Sequence, residues 1–294
     1  LLRASEDEMR QLRGNDIAMI FQDPLSSLHP FYRVGDQLVE AVRAHRDVPK
    51  AQARDRAVEM LGLVGIPEPR RRVDAYPHEF SGGMRQRVMI AMALINEPKL
   101  IIADEPTTAL DVTVQAQILD LIERLRRELD TAIVMITHDL GVVAEVTDDI
   151  AVMYAGRIVE YADKDTIFSA PEHPYTWGLL KSIPRLDLPR DEALVPIAGR
   201  PPSLILKPPG CSFHPRCPYV REAHKRIDPQ LAPTDPAPAG RMHQVACLLP
   251  PQTRRALWAE LQHGATPEDA KDRVTVPDDA VDPEVAALNA EAAR

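Results

Sequence analysis

Aromatic residues are scarce. Phe, Trp and Tyr make up 4% of the 294 residues, so any core has to be built from Leu, Val, Ile, Ala and Met. Three cysteines are too few for a disulfide framework; in a reducing compartment they read as free thiols or metal ligands. Long apolar runs are missing as well. The longest, Val88 to Ile95, is eight residues, against the ~20 that a membrane-spanning helix needs. The N-terminus carries no charged-then-apolar signal segment, which makes a cytoplasmic location the default expectation. Positive charge is in deficit: 35 Lys+Arg against 44 Asp+Glu give a net −9. That excludes a nucleic-acid binder relying on bulk positive charge. The first residue is Leu, not Met, so a fragment is expected. What is present, 45% hydrophobic and 27% charged residues, is the balance of a globular chain of one large or two modest domains.

Proline divides the chain: 8 of the 28 lie before residue 170 and 20 from Pro171 onward. The first part has the pattern of regular α/β structure. Asp16 to Phe21 reads as a short strand. Val34 to Ala44 and Ala51 to Val64 have helical spacing, the second stopped by Gly65-Ile-Pro67. Met84 to Leu94 and Val112 to Glu128 are further predicted helices. Lys99 to Ala103 and Ala132 to Thr137 resemble strands buried on both faces, so strand, helix, strand predicts a parallel sheet with a crossover. Ile150 to Tyr154 and Arg157 to Glu160, around Gly156, predict a closing hairpin. Arg254 to His263 reads as one short helix, and the Ala-, Asp- and Pro-rich stretch from Gly264 to Arg294 as a disordered or loosely helical tail.

Four sites carry candidate chemistry. Leu100 to Ala103 is an apolar strand that ends in two adjacent carboxylates, Asp104 and Glu105, before Pro106. A buried strand that delivers an acid at its C-terminal edge suits Mg²⁺, which needs one or two carboxylates plus phosphate oxygens. Asp104 would hold the metal and Glu105 would orient or deprotonate an attacking water. Ser81-Gly82-Gly83 precedes a helix that runs through Gln86, and a capped, glycine-lined helix start favours anions. An ordinary Ser cap explains it equally well. Gln22 follows the first strand, where its amide can bond a metal-bound water. His138 follows the last strand, a position that is more often structural than chemical.

In order and spacing, these four sites are the set found in ABC-type ATPases, which the sequence resembles from Asp16 to about Glu160. The resemblance implies a P-loop NTPase-like ABC cassette, an α/β fold over residues 1–160, with a helical signature subdomain at about 23–95. It implies that Gln22 is the Q-loop residue, Ser81-Gly82-Gly83 and Gln86 belong to the signature, and Asp104 is the Walker B acid. Glu105 would be the catalytic glutamate, Ala109-Leu110-Asp111 the D-loop and His138 the switch histidine. ATP and Mg²⁺ are the implied cofactors, with water attacking the γ-phosphate and Ser81 and Gly83 binding the nucleotide of a second subunit. One part is missing: no Gly-Lys-Ser or Gly-Lys-Thr occurs, so the chain lacks a phosphate-cradling G-x-x-x-x-G-K-[ST] loop. The expectation is a chain truncated ahead of that loop, inactive by itself. A non-hydrolysing regulatory cassette is the alternative if the chain is naturally this short.

Phe80-Ser-Gly-Gly-Met84, Phe21 to Pro30, His173 to Thr176, Ile197 to Ser203 and Cys211 to Pro218 are similar to the oligopeptide/dipeptide (and nickel) importer branch. That similarity implies a Pro-rich C-terminal transporter-type domain at 161–252, leaving 253–294 as helix and tail. The implied partners are two membrane permeases, a second ATPase subunit (identical or different) and, indirectly, an extracytoplasmic peptide-binding protein. The implied place is the cytoplasmic face of the membrane, with no nucleic acid involved; nickel or another small solute is the alternative cargo. In some members of the branch four cysteines are read as an iron–sulfur site. Here Cys211, Cys217 and Cys247 are joined by His224, a set expected to hold a 4Fe–4S cluster or Zn²⁺, with His214 and His243 as rival fourth ligands.

Overall fold

Three short apolar segments build the parallel sheet that the strand–helix–strand pattern predicts. β1 (Ile17–Ile20), β2 (Leu100–Asp104) and β3 (Ala132–Ile136) lie side by side in that order. Ile20 pairs with Ala103 across one side of β2, and Asp104 pairs with Ile136 across the other. Because the strands run in one direction, the residues that follow them collect at a single edge. The computed structural model describes residues 1, 3–108, 110–183, 196–234, 242–276 and 281–292. They divide into two units, Leu1–Asp139 and Leu140–Arg294.

The first unit also contains helices α1 (Glu6–Leu12), α2 (Pro24–Ser27), α3 (Val34–Arg43), α4 (Lys50–Leu63), α5 (Pro69–Arg72), α6 (Gly82–Leu94) and α7 (Val112–Leu129). Ser81 caps α6 as expected, while Ser5 and Glu8 form a capping box on α1 and Asp111 caps α7. The core collects Leu38 of α3, Met60 of α4, Ile90 of α6, Ile101 of β2 and Ile118 of α7, all buried. α6 is apolar nearly all round, as a helix enclosed by core must be. The sheet departs from the expected two-sided burial. Ala18, Ile20, Ile101 and Ala103 face this core, whereas Val134 and Ile136 of β3 are 51% and 47% exposed on alternate positions. The helices of the described first unit pack their apolar side chains on one sheet face, so the pleat leaves the other open.

The second unit starts with α8 (Leu140–Val146) and the predicted hairpin, β4 (Asp149–Tyr154) and β5 (Arg157–Asp163). Its two turn residues, Ala155 and Gly156, both have positive φ, 49° and 77°, the geometry that matches the twist of a tight hairpin. Two-residue strands β6 (Ala232–Pro233) and β7 (Gln244–Val245) complete an antiparallel sheet of order β4-β5-β7-β6. Helices α9 (Lys164–Ser169), α10 (Pro174–Lys181), α11 (Pro251–Gln262), α12 (Pro267–Arg273) and α13 (Pro283–Ala292) complete this unit. The stretch expected to be a loose tail therefore carries two capped helices, and they bury Ala270 and Val285. Thr266 and Asp269 supply the capping box that starts α12.

Candidate active site at the parallel-strand edge

Three chain segments far apart in sequence meet on the Glu105 carboxylate. Gln22, two residues beyond β1, donates its amide Nε2 to Glu105 Oε2 at 2.7 Å. His138, two residues beyond β3, places Nδ1 3.1 Å from Oε1. Thr108 donates its hydroxyl to Oε2 at 2.8 Å. The parallel register explains the meeting: β1, β2 and β3 each release their next residues at the same edge. Glu105 turns away from the strand line with φ 44°, in the left-handed region. Its own N–H still bonds Ile136 O at 2.9 Å, and its carbonyl accepts from Thr108 N at 3.1 Å to close a turn.

These donors set the charge of the site. The Thr108 hydroxyl first, then the His138 ring, hold the Glu105 carboxyl below its ordinary range; desolvation opposes them and the Gln22 amide adds to them. The side chain is therefore an ionised acceptor. A carboxylate has about four acceptor sites, and three donors leave one for a further donor such as water. Asp104, the last residue of β2, is half-buried at the same edge and paired in register with Ile136. Thr137 and Asp139 fix the backbone around His138: Asp139 N bonds Thr137 Oγ1 at 3.0 Å, and Gln115 reaches Asp139 Oδ2 at 3.1 Å.

The remaining predicted residues have structural work visible within the chain. Ser81 Oγ accepts from Met84 N at 3.4 Å as the α6 cap. Gly83 lies so close to α7 that a Cβ there would be 2.9 Å from Val114 Cγ1, which requires glycine for packing alone. Gly82 is different: a Cβ there would meet nothing within 4 Å. Gln86 does not reach the open edge. It is buried, and its amide bonds the Pro106 carbonyl, tying α6 to the loop that follows Glu105. Asp111 Oδ1 accepts from Val114 N at 2.9 Å and so caps α7. Ala109 lies outside the described residues. Thr108 was missed in the sequence, although a hydroxyl three residues past an acid at a strand end was the available signal.

The expected metal set of Cys211, Cys217, Cys247 and His224 finds no support among the described residues. Cys211 and Cys247 are buried, Cys217 half-buried, and none is in a disulfide. Burial pushes the Cys247 thiol up to about 12 and raises those of Cys217 and Cys211; around Cys217 the neighbouring thiols of Cys247 and Cys211 add to it. His224 Nδ1 accepts from Arg221 N at 3.1 Å, and its buried Nε2 has no partner. The rivals are engaged elsewhere: His214 Nδ1 lies 2.9 Å from Cys211 O, and His243 Nε2 lies 2.9 Å from Glu160 Oε1. Among the described residues no three His, Cys, Asp or Glu side chains converge as metal ligands. The Pro-rich segments are held by a buried ion network centred on Arg254, which contacts Glu172 and Asp282, and by packing of Trp177, Tyr219 and Trp258.

Comparison with known proteins agrees with these features. The ABC transporter family matches residues 2–108, and the oligopeptide/dipeptide transporter C-terminal region matches residues 159–223. The dipeptide transport ATP-binding protein DppD of Bacillus subtilis is 52% identical over 273 residues, covering 92% of this chain and 77% of the relative. The oligopeptide transport ATP-binding protein OppD of Escherichia coli is 52% identical over 250 residues, 85% of this chain and 72% of that one. OppD of Salmonella typhimurium is 56% identical over 229 residues, 78% and 68% of the two chains.

Proposed function

The chain belongs to the oligopeptide/dipeptide transport ATP-binding proteins of the ABC transporter family, and from that premise we propose that it is the ATP-hydrolysing subunit of an importer for short peptides. The observation that carries the reading is the convergence of Gln22, Thr108 and His138 on one ionised carboxylate beside Asp104. Glu105 then orients the attacking water and takes its proton as the water's oxygen bonds the γ-phosphorus in line and the bond from that phosphorus to the bridging oxygen breaks, releasing ADP and phosphate. His138, 76% exposed at the edge, is free to contact the transferring phosphoryl group once it releases Glu105. Asp104 is the residue that would hold Mg²⁺, and the ion would supply positive charge against the phosphates. Gln22 would bond a water of that ion.

Ser81, Gly82 and Gly83 would serve the nucleotide of a second ATPase subunit. The open space over Gly82 supports this, since no contact within the chain calls for glycine there. We assign residues 1–160 to the cassette, 161–252 to the peptide-transporter C-terminal domain and 253–294 to a helical extension. Two permeases, a second ATPase subunit and an extracytoplasmic peptide-binding protein complete the proposed importer. The chain would sit peripherally on the cytoplasmic face of the membrane; among the described residues no helix is long and apolar enough to cross one. Peptide is favoured over nickel as cargo by the relatives' names. The proposal does not extend to iron–sulfur or zinc chemistry.

The test is Glu105→Gln in a chain that carries its phosphate-binding loop. Turnover should fall by about 10²–10⁴-fold, the range for loss of a general base, while ATP is retained. Unchanged hydrolysis would refute the base assignment and reopen the non-hydrolysing alternative.

A further inference from the structure

Of the three donors to Glu105, two come from segments 83 and 33 residues away, and one is local. Gln22 and His138 each hang on a loop beyond a different strand, so either contact is lost when its loop shifts. Thr108 moves with Glu105. It bonds the same residue twice, backbone N–H to carbonyl at 3.1 Å and hydroxyl to Oε2 at 2.8 Å. The turn they close holds Glu105 at φ 44°, a conformation that a non-glycine residue adopts only when its surroundings over-determine it. A glutamate has three side-chain torsions to order, and a fixed bond at one oxygen removes most of that freedom. The neighbouring Thr107 does not substitute, since it is buried and bonds no oxygen of Glu105 among the described contacts.

We infer that Thr108 is a positioning residue for Glu105: its hydroxyl fixes Oε2 so that the carboxylate keeps one orientation when Gln22 and His138 turn to nucleotide and metal-bound water. The inference rests on Glu105 being the base, as proposed above. It assigns Thr108 no contact with substrate. It also separates the two carboxylate oxygens by duty, with Oε2 held by the turn and Oε1, bonded by His138 alone among the described residues, left for the reacting water.

The experiment compares Thr108→Val, which keeps the shape and removes the donor, with Thr108→Ser, which keeps the donor. Both are made in the full-length subunit with its phosphate-binding loop, assembled with its permeases. ATP hydrolysis and binding of a fluorescent ATP analogue are measured separately. Thr108→Val should lower kcat about tenfold, the effect of one lost hydrogen bond, with KM and analogue affinity within about twofold of the parent. Thr108→Ser should stay within about twofold in all three. Because Thr108 acts through Glu105, adding Thr108→Val to Glu105→Gln should change neither residual turnover nor nucleotide affinity. Full activity of Thr108→Val beside an inactive Glu105→Gln overturns the inference and leaves the base intact. A tenfold loss in Thr108→Ser, or an additive double mutant, also overturns it. Normal turnover of Glu105→Gln instead sinks the base assignment itself, a failure read from a different variant.

Discussion

Replacing Arg254 by Met should unfold the second unit at markedly lower denaturant. Arg254 lies in α11 with 0% exposure and reaches into four separate segments. Its guanidinium bonds Glu172 Oε2 at 2.8 Å, Asp282 Oδ2 at 2.7 Å, Leu249 O at 2.8 Å and Thr234 Oγ1 at 3.2 Å. Glu172 keeps a second cation, since Arg255 Nε bonds its Oε1 at 2.8 Å, but it loses the buried partner. Asp282, 1% exposed, keeps only the backbone N–H groups at the start of α13. Breaking a buried pair by removing one partner costs about 3–5 kcal/mol, because a charge is left buried without compensation. At a urea m-value of about 2 kcal/mol/M, the midpoint should fall by about 2 M. Both tryptophans, Trp177 and Trp258, lie in the second unit, so indole fluorescence reports on that unit alone. Arg254→Met/Asp282→Leu should recover much of the loss by replacing both charges with apolar shape. A midpoint shift under about 0.5 M for the single mutant, equivalent to about 1 kcal/mol, would show that the network does not hold the unit together.

Other consequences are equally open to measurement. Gly83→Ala should cost about 1 kcal/mol through its approach to Val114, whereas Gly82→Ala should leave thermal stability unchanged or slightly raised and still depress ATP turnover in the assembled transporter. Equal melting losses for both glycines would contradict that division. His173 is buried at the start of α10, its Nδ1 accepting from Tyr175 N at 3.1 Å, and burial pushes its pKa down to about 3 from 6.5. The unfolded chain takes up that proton below 6.5 and the folded chain not until about 3. The stability of the second unit should therefore fall as pH drops through this window, by up to about 1.4 kcal/mol per pH unit from this group. Urea midpoints read by tryptophan fluorescence at a series of pH values check it. A His173→Asn variant, which keeps a capping side chain without the titration, should show the shallower slope.

Local signals carried the first unit a long way. The helix cap Ser81, the hairpin around Gly156 and the three strands were legible because each depends on residues a few positions apart. The order of Gln22, Asp104, Glu105 and His138 was legible too, since each follows or ends a strand and parallel strands deliver such residues to one edge. Sequence alone thus determined the family and the strand-end edge at which Gln22, Glu105 and His138 meet.

Only the tertiary structure decided what those residues touch. Gln86 stands within the signature run yet is turned under Pro106, and Thr108 rather than a charged residue is the foremost influence holding Glu105 ionised. Nothing in the spacing of Arg254 on α11 marks it as buried; a lone arginine on a helix ordinarily reads as a solvated side chain. It becomes the hub of the second unit because Glu172 and Asp282, 82 and 28 residues away, supply opposite charge inside the same low-dielectric space. Helical periodicity and capping are written in neighbouring residues, whereas the pairing of buried charges depends on which distant segments the folded chain brings together.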